Sequence, residues 1–301
     1  MSQQPVRKRW QIVDGVLLLD KPGGLSSNDA LQKARRLFSA AKAGHTGTLD
    51  PMATGLLPLC FGEATKFSNR LLEADKTYAA TLKLGVTTTT ADAEGEVLVE
   101  APVTVGAVEV EAACMRFLGE IDQVPPMYSA LKHQGKALYE YARQGVEIER
   151  QARRVTIISL EVTRIAVPEV DIVVRCSKGT YIRTLAEDVG AVLGCGAHLI
   201  ALRRTSIGPL QIDDALTLEQ IAAVEEGERQ PLLAQPDALL AHLPAVSLDA
   251  AGRSRFLHGQ AVRAAAPVGE VRVYGPDFLG LGMVDLAGLV QPVRLIACRE
   301  Q

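Results

Sequence analysis

Between Gly15 and Leu19 the chain is a short apolar run, closed by Lys21-Pro22-Gly23-Gly24; this reads as a strand entering a turn. Ala30, Leu31, Ala34 and Leu37 then recur at helical spacing behind Ser26 and Ser27, either of which suits a helix cap. Gly44 to Gly55 shows little periodicity and reads as a glycine-rich loop. Lys76 to Leu84 alternates like a half-buried strand, and Val97 to Glu100 is expected to pair near it. Helical spacing returns over Val103 to Leu118. β-Rich runs cover Val155 to Ile165 and Val170 to Cys176 around a turn at Pro168. Thr180 to Leu193 reads as a helix stopped by Gly194, and Leu199 to Ile207 as a further strand. Without regular βαβ alternation, the expected class is α+β, with a mixed, largely antiparallel central sheet flanked by helices.

Two stretches stand apart. Asp122 to Arg154 is polar, with Pro125-Pro126, three tyrosines and several cations, and reads as a long excursion from the core. Beyond an acidic helical region, Pro236 and Pro244 mark turns into a glycine-rich, β-prone segment from about Ser247. The expected organisation is a large domain over residues 1–246, interrupted by an insertion at about 122–154, and a small β domain over 247–301.

Nearly half of the 301 residues are apolar and 22% are charged, the balance of an ordinary soluble globular protein. The five cysteines are far apart and none forms a C-x-x-C pair, while the five histidines form no H-E-x-x-H motif. A metal-free site without cofactor, in a reducing cytoplasm, is therefore expected. Met1 to Trp10 is polar and basic, without a signal-peptide core, and no run is long enough to span a bilayer. The net charge of −3 is unevenly spread: Asp213 to Ala245 holds seven acidic residues and one basic, so the rest carries about +3. Basic clusters at Arg7-Lys8-Arg9, Lys33 to Arg36, Lys132 to Lys136, Arg150 to Arg154 and Arg203-Arg204 suit phosphate contacts, or else are ordinary solvated faces.

Candidate chemistry gathers in the glycine-rich loop. Asp50 precedes Pro51, where local context favours a turn or cap role. Against that stands the crowding of Gly44, Gly47 and Gly55 around one carboxylate and the imidazole of His45. No G-K-[ST] follows these glycines and no G-x-G-x-x-G occurs there, which disfavours nucleotide hydrolysis. In Ser177 to Arg183, a helix capped by Thr180 would place Arg183 at its third position, where a cation opposes the helix dipole and calls for an anion. Glu187 four residues on and an active-site carboxylate are both open as that partner. Tyr78 and Tyr181 have simple readings as packing residues.

Taken in order, these motifs resemble one family. Gly44-His45-Thr46-Gly47-Thr48-Leu49-Asp50-Pro51 with Ala53 to Leu57 resembles the catalytic motif of the bacterial tRNA pseudouridine-55 synthases, the TruB family. Leu19 to Pro22, Lys76-Thr77-Tyr78, Gln123 to Ala130, Gly179 to Arg183 and Leu202 to Thr205 match in order and approximate spacing. The resemblance runs from about Gly15 to Gly208. Leu257 to Val262 is similar to part of the family's shortened PUA-like RNA-binding domain.

It implies a pseudouridine synthase fold and an enzyme that flips uridine-55 of the tRNA T-loop into a pocket, without cofactor. Asp50 would be the nucleophile, Arg183 its ionic partner and Tyr78 the stacking aromatic, which would also take a proton from the sugar. His45 would occupy the vacated position in the RNA, and Tyr181 and Leu202 would line the pocket. Lys21-Pro22 would brace the catalytic loop. The insertion would grip the T-loop, with Lys132, His133, Lys136 and Arg143 as phosphate-contact candidates. A monomer that needs no protein partner is the simplest expectation. An idle RNA-binding or tRNA-folding protein and a guide-RNA-dependent synthase are the rival readings.

Overall fold

The computed structural model describes residues 10–297; the cluster Arg7-Lys8-Arg9 and Cys298 lie outside the described residues. The chain opens with β1 (Gly15–Lys21), α1 (Ser27–Leu37), β2 (Ala43–His45) and β3 (Thr54–Phe61), followed by a 3₁₀ segment, Gly62–Leu71. Then come β4 (Lys76–Leu84), β5 (Val86–Thr88), β6 (Val97–Glu100), α2 (Ala107–Met115) and β7 (Gly119–Gln123). The insertion carries a hairpin, β8 (Lys132–His133) with β9 (Lys136–Ala137), and α3 (Leu138–Ala142). The domain continues through β10 (Arg153–Ala166), β11 (Glu169–Cys176), α4 (Ile182–Leu193), β12 (Ala197–Ile207), β13 (Leu210–Gln211) and α5 (Leu218–Ala223).

Nine of these strands form one sheet of order β1-β3-β12-β4-β11-β10-β7, with β2 on β3 and β13 on β12. Only β12 and β3 run parallel, so the sheet is mixed and largely antiparallel. The central strands bury Leu57, Leu59, Leu82, Ile172, Val174 and Leu199, and α1 and α4 cover them with Ala30, Leu31, Ala34, Leu185 and Val189. Ser26 caps α1 by accepting the Asp29 N–H at 3.1 Å.

Several expected boundaries move for local reasons. Val97 to Glu100 pairs with β5 in a separate two-stranded ribbon, because the chain turns at Gly85 before it can return to β4. The helix expected over Val103 to Leu118 is α2 alone. Gly106 starts it, its N–H donating to the Glu109 carboxylate at 3.0 Å, while Val103 and Val105 pack against the core ahead of it. Thr180 does not cap α4: its hydroxyl donates to the Ser177 carbonyl at 2.9 Å, and the helix begins at Ile182. Arg183 is therefore its second residue.

The acidic segment lies along the open edge of β1. Val16 and Ala234 exchange backbone hydrogen bonds at 2.8 and 2.9 Å, and Leu216 bonds Leu18 and Asp20 at 2.9 Å. A strand edge that could pair with another chain is thus covered. Arg229 donates to the Leu37 carbonyl, pinning the segment to the end of α1.

The C-terminal part contains β14 (Ala245–Ser247), α6 (Ala250–Leu257), β15 (Val262–Arg263), β16 (Gly269–Tyr274), β17 (Phe278–Val284) and β18 (Leu289–Leu295). Its five-stranded sheet has order β14-β16-β17-β18-β15 and its own core around Phe256, Val271 and Val290. It also shares a core with the larger domain, where Phe278 meets Phe67 edge-on at 5.6 Å beside Leu71, Leu239 and Leu240.

Candidate active site

The segment between β2 and β3 is fastened from several sides. The Leu49 N–H donates to Ser27 Oγ at 2.7 Å, and that hydroxyl donates back to the Leu49 carbonyl at 3.0 Å. Lys21 is fully buried and its ammonium donates to the carbonyls of Leu25 (2.6 Å), Pro22 (2.8 Å) and Pro51 (3.3 Å). Burial lowers its pKa to about 8, opposed by the nearby carboxylate of Asp50. On the far side, Gly55 lets β3 approach β12. Its φ is +99°, and a Cβ there would stand 2.3 Å from the Arg204 carbonyl oxygen.

Asp50 makes a turn with its backbone and an ion pair with its side chain. Its carbonyl accepts the Ala53 N–H at 3.1 Å, as a turn residue's does, while its carboxylate reaches Arg183 Nε at 3.0 Å. Arg183 comes from the first turn of α4, Asp50 from the loop, and a third group, Asp92, from the turn between β5 and β6. Asp92 Oδ2 lies 3.5 Å from Arg183 Nη1; both side chains are only 4% exposed, against 34% for Asp50. Arg183 also donates to the carbonyls of Thr90 (3.1 Å) and Tyr128 (2.7 Å), so one guanidinium ties the carboxylates to the base of the insertion. Glu187 is not its partner.

Burial raises the pKa of Asp50, and the like charge of Asp92 adds to that; Arg183, and more weakly Lys21, pull it down. The outcome is a recessed carboxylate with a fixed cation on one side, an arrangement able to serve as a nucleophile or a base.

Around it stand the other candidates. Tyr78 on β4 and Leu202 on β12 belong to the central strands, Leu202 opposite Ala80 and Tyr78 opposite both Val174 and Arg204. Tyr181 sits just before α4, its N–H held by Gln123 Oε1 at 3.0 Å and its pKa raised by burial. His45 ends β2; burial lowers its pKa, and its Nδ1 has no hydrogen-bond partner. Lys132 and Lys136 are not part of this cluster. Both lie on the β8–β9 hairpin, Lys132 exposed and Lys136 with its ammonium 4.6 Å from the Tyr141 ring centroid.

Several basic clusters are engaged within the protein. Arg203 makes a bidentate pair with Asp20 (3.0 and 2.7 Å), and Arg204 is buried against main-chain carbonyls. Arg35 donates to Ala40 and Ala41 carbonyls under Trp10, and Arg154 faces Glu120 and Asp122. The hairpin lysines fit the phosphate-contact reading better than these do.

Among the described residues no group of three or more His, Cys, Asp or Glu could hold a metal ion, and no helix is long and apolar enough to cross a membrane. Comparison with known proteins decides the family. Residues 35–182 match the TruB family pseudouridylate synthase N-terminal domain, 183–243 the tRNA pseudouridylate synthase B C-terminal domain, and 244–296 the pseudouridine synthase II TruB C-terminal region. The chain belongs to the TruB family of pseudouridylate synthases. It is 59% identical to the tRNA pseudouridine synthase B of Burkholderia mallei and 59% identical to that of Ralstonia nicotianae, over 98% of both chains in each case. Among solved structures it resembles a chain of a Cbf5-Nop10-Gar1 complex, with a TM-score of 0.70 and 28% identity over 91% of this chain and 79% of that one.

Within this TruB family chain, two residues of the site escaped sequence reasoning. Asp92 sits in Thr90-Ala91-Asp92, where Thr90 Oγ1 (2.5 Å) and the Glu94 N–H (3.0 Å) donate to its Oδ1. From sequence this is an ordinary turn aspartate. Arg204 reads as one half of a basic pair, and nothing local marks it as buried.

Proposed function

We propose that this enzyme isomerises uridine-55 in the T-loop of tRNA to pseudouridine, with Asp50 as the nucleophile. The observation that carries the reading is the recessed Asp50 carboxylate, held 3.0 Å from a buried arginine and within electrostatic reach of the Tyr78 and Tyr181 phenols. Near-complete coverage of relatives named tRNA pseudouridine synthase B supports tRNA as the substrate. The reaction breaks the glycosidic N–C bond, turns the uracil and rejoins it through C5, so the base must be retained and turned inside a closed pocket. A stacked T-loop uridine has to be flipped out first, at a cost of a few kcal/mol. His45 would fill the gap it leaves, Tyr78 would stack on the uracil, and Tyr181 and Leu202 would wall the pocket. Arg183 opposes the rise that burial causes in the Asp50 pKa and so favours its anionic form. Lys132 and Lys136 on the insertion would hold T-loop phosphates, so that recognition rests on RNA shape more than on base edges.

In this reading residues 1–246 form the catalytic domain and 247–301 a short PUA-like RNA-binding domain, and the protein works as a monomer with no partner and no guide. The experiment is single-turnover pseudouridine mapping on unmodified tRNA and on a bare T-stem-loop. Product at uridine-55 of both, abolished in Asp50→Asn while tRNA binding persists, is the expected result. Retained turnover in Asp50→Asn refutes the nucleophile, and activity only with added protein or guide refutes the stand-alone reading.

A further inference from the structure

Arg204 is a buried cation whose charge no carboxylate neutralises, beside the tyrosine of the pocket. It is 2% exposed. Its Nε donates to the Leu56 carbonyl at 2.8 Å and its Nη1 reaches the Thr48 carbonyl at 3.5 Å, while Nη2 has no partner. None of the ion pairs among the described residues includes it. Its neighbour Arg203, by contrast, is matched by both oxygens of Asp20. A guanidinium removed from water without a counter-ion is costly, and such an arrangement persists where something else uses the charge.

The register shows what is close enough to use it. On antiparallel β12 and β4, Arg204 is directly opposite Tyr78, so both side chains leave the same face of the sheet at adjacent positions. The register slips just after this pair, between Arg204 and Ser206, and a bulge at that point re-aims side chains. We infer that Arg204 is a positioning residue acting through Tyr78: its guanidinium orients the phenol and stabilises negative charge on its oxygen. The inference rests on the reading that Tyr78 lines the uridine pocket.

Three titratable groups face the phenol: Arg204 from β12, Cys176 from β11 and Asp50 from the loop. Burial, Cys176 and Asp50 all oppose ionisation of Tyr78; Arg204 alone favours it, by its charge. The same charge disfavours the protonated forms of Lys21, His45 and Lys76. Tyr78 is thus the acidic group that this cation serves. A phenolate at this position forms at lower cost than burial alone would allow, and can accept a proton from the substrate to become the phenol.

The competing explanation is that Arg204 merely clamps Thr48 to Leu56. To separate the two, 3-fluorotyrosine is placed at position 78 of the full-length protein and its ¹⁹F shift followed against pH without substrate. Arg204→Gln, with Arg204→Met as a second neutral variant should the first not fold, is expected to raise the titration midpoint and cut the phenolate fraction about tenfold at a given pH. Arg204→Lys, which keeps the charge but not the two-carbonyl clamp, should retain most of the wild-type midpoint. In single-turnover assays Arg204→Gln should lower the rate without changing tRNA affinity, and a more acidic difluorotyrosine at position 78 should restore part of it. An unmoved midpoint in a folded neutral variant, or a rate that the difluorotyrosine does not restore, overturns the inference. Tyr78→Phe is the separate control: wild-type turnover in that variant would refute the pocket role of Tyr78, whereas the ¹⁹F result concerns Arg204 alone.

Discussion

Replacing Asp92 by asparagine tests whether the shared arginine governs Asp50. Asparagine keeps an oxygen for Thr90 Oγ1 and the Glu94 N–H, and replaces the charged oxygen that faces Arg183 Nη1 at 3.5 Å by an uncharged amide NH2. At that distance and an effective dielectric near 20, the gross attraction is about 5 kcal/mol. Removing one partner of a buried pair typically costs 3–5 kcal/mol. Arg183 retains Asp50 and two carbonyls, so the low end applies: about 3 kcal/mol, or roughly 6–12 °C in melting temperature. The sign of the pH effect follows from the site's charges. Asp92 is a like charge that raises the Asp50 pKa, so its removal makes Asp50 more acidic, and Arg183 then leans on Asp50 alone. The acidic limb of kcat/KM for T-stem-loop pseudouridylation should therefore move to lower pH. The plateau should fall by about 10²-fold, because a carboxylate drawn towards its cation is displaced from its attack position. An acidic limb that moves to higher pH, or a folded variant with an unchanged profile, refutes the shared-arginine account.

Three further outcomes are expected. Arg183→Lys cannot reach both carboxylates and both carbonyls at once, and turnover should fall by at least about 10²-fold with tRNA affinity preserved; equal loss of binding would argue for a gross structural role. Gly55→Ala places a Cβ 2.3 Å from the Arg204 oxygen at φ +99° and should destabilise by about 3 kcal/mol in denaturant unfolding. A cost under about 1 kcal/mol would show that β3 and β12 part easily. Lys132→Ala and Lys136→Ala should weaken tRNA binding and each reduce the slope of log K against log salt by about 1, and an unchanged slope removes the hairpin from the phosphate contacts.

Elements whose signal is local were legible in the sequence. The Ser26 cap, the alternation of Lys76 to Leu84, and the stop at Gly194, a left-handed C-cap at φ 77°, each depend on neighbours a few residues away. The anion demanded by Arg183 was legible as well, though not which one. Glu187 is a local choice, whereas Asp50 is brought to α4 by the pairing of β3, β12 and β4. Asp92 was hidden because one oxygen satisfies a turn and the other serves a distant arginine. Arg203 and Arg204 show the same limit: identical residues side by side, one paired outward with Asp20, the other turned into the sheet. Alternation tells that they face opposite ways, but not which face is filled.

The way the site is held explains why so much of it is invisible locally. Three buried cations surround the catalytic loop, and their donors go mainly to main-chain carbonyls: Lys21 to Pro22, Leu25 and Pro51, Arg183 to Thr90 and Tyr128, Arg204 to Leu56 and Thr48. A loop with little regular structure of its own is thereby fixed by long side chains from β1, α4 and β12. Two of these cations also bear on the charge of Asp50. Burial raises the pKa of Asp50, which the proposed mechanism needs as an anion, and Arg183 and Lys21 act against that rise. Since carbonyls take up most of their hydrogen bonds but cancel little of their charge, Arg183 and Lys21 can anchor the backbone and still oppose the rise in the Asp50 pKa. Neutral staples such as Ser27 on Leu49 could do only the first.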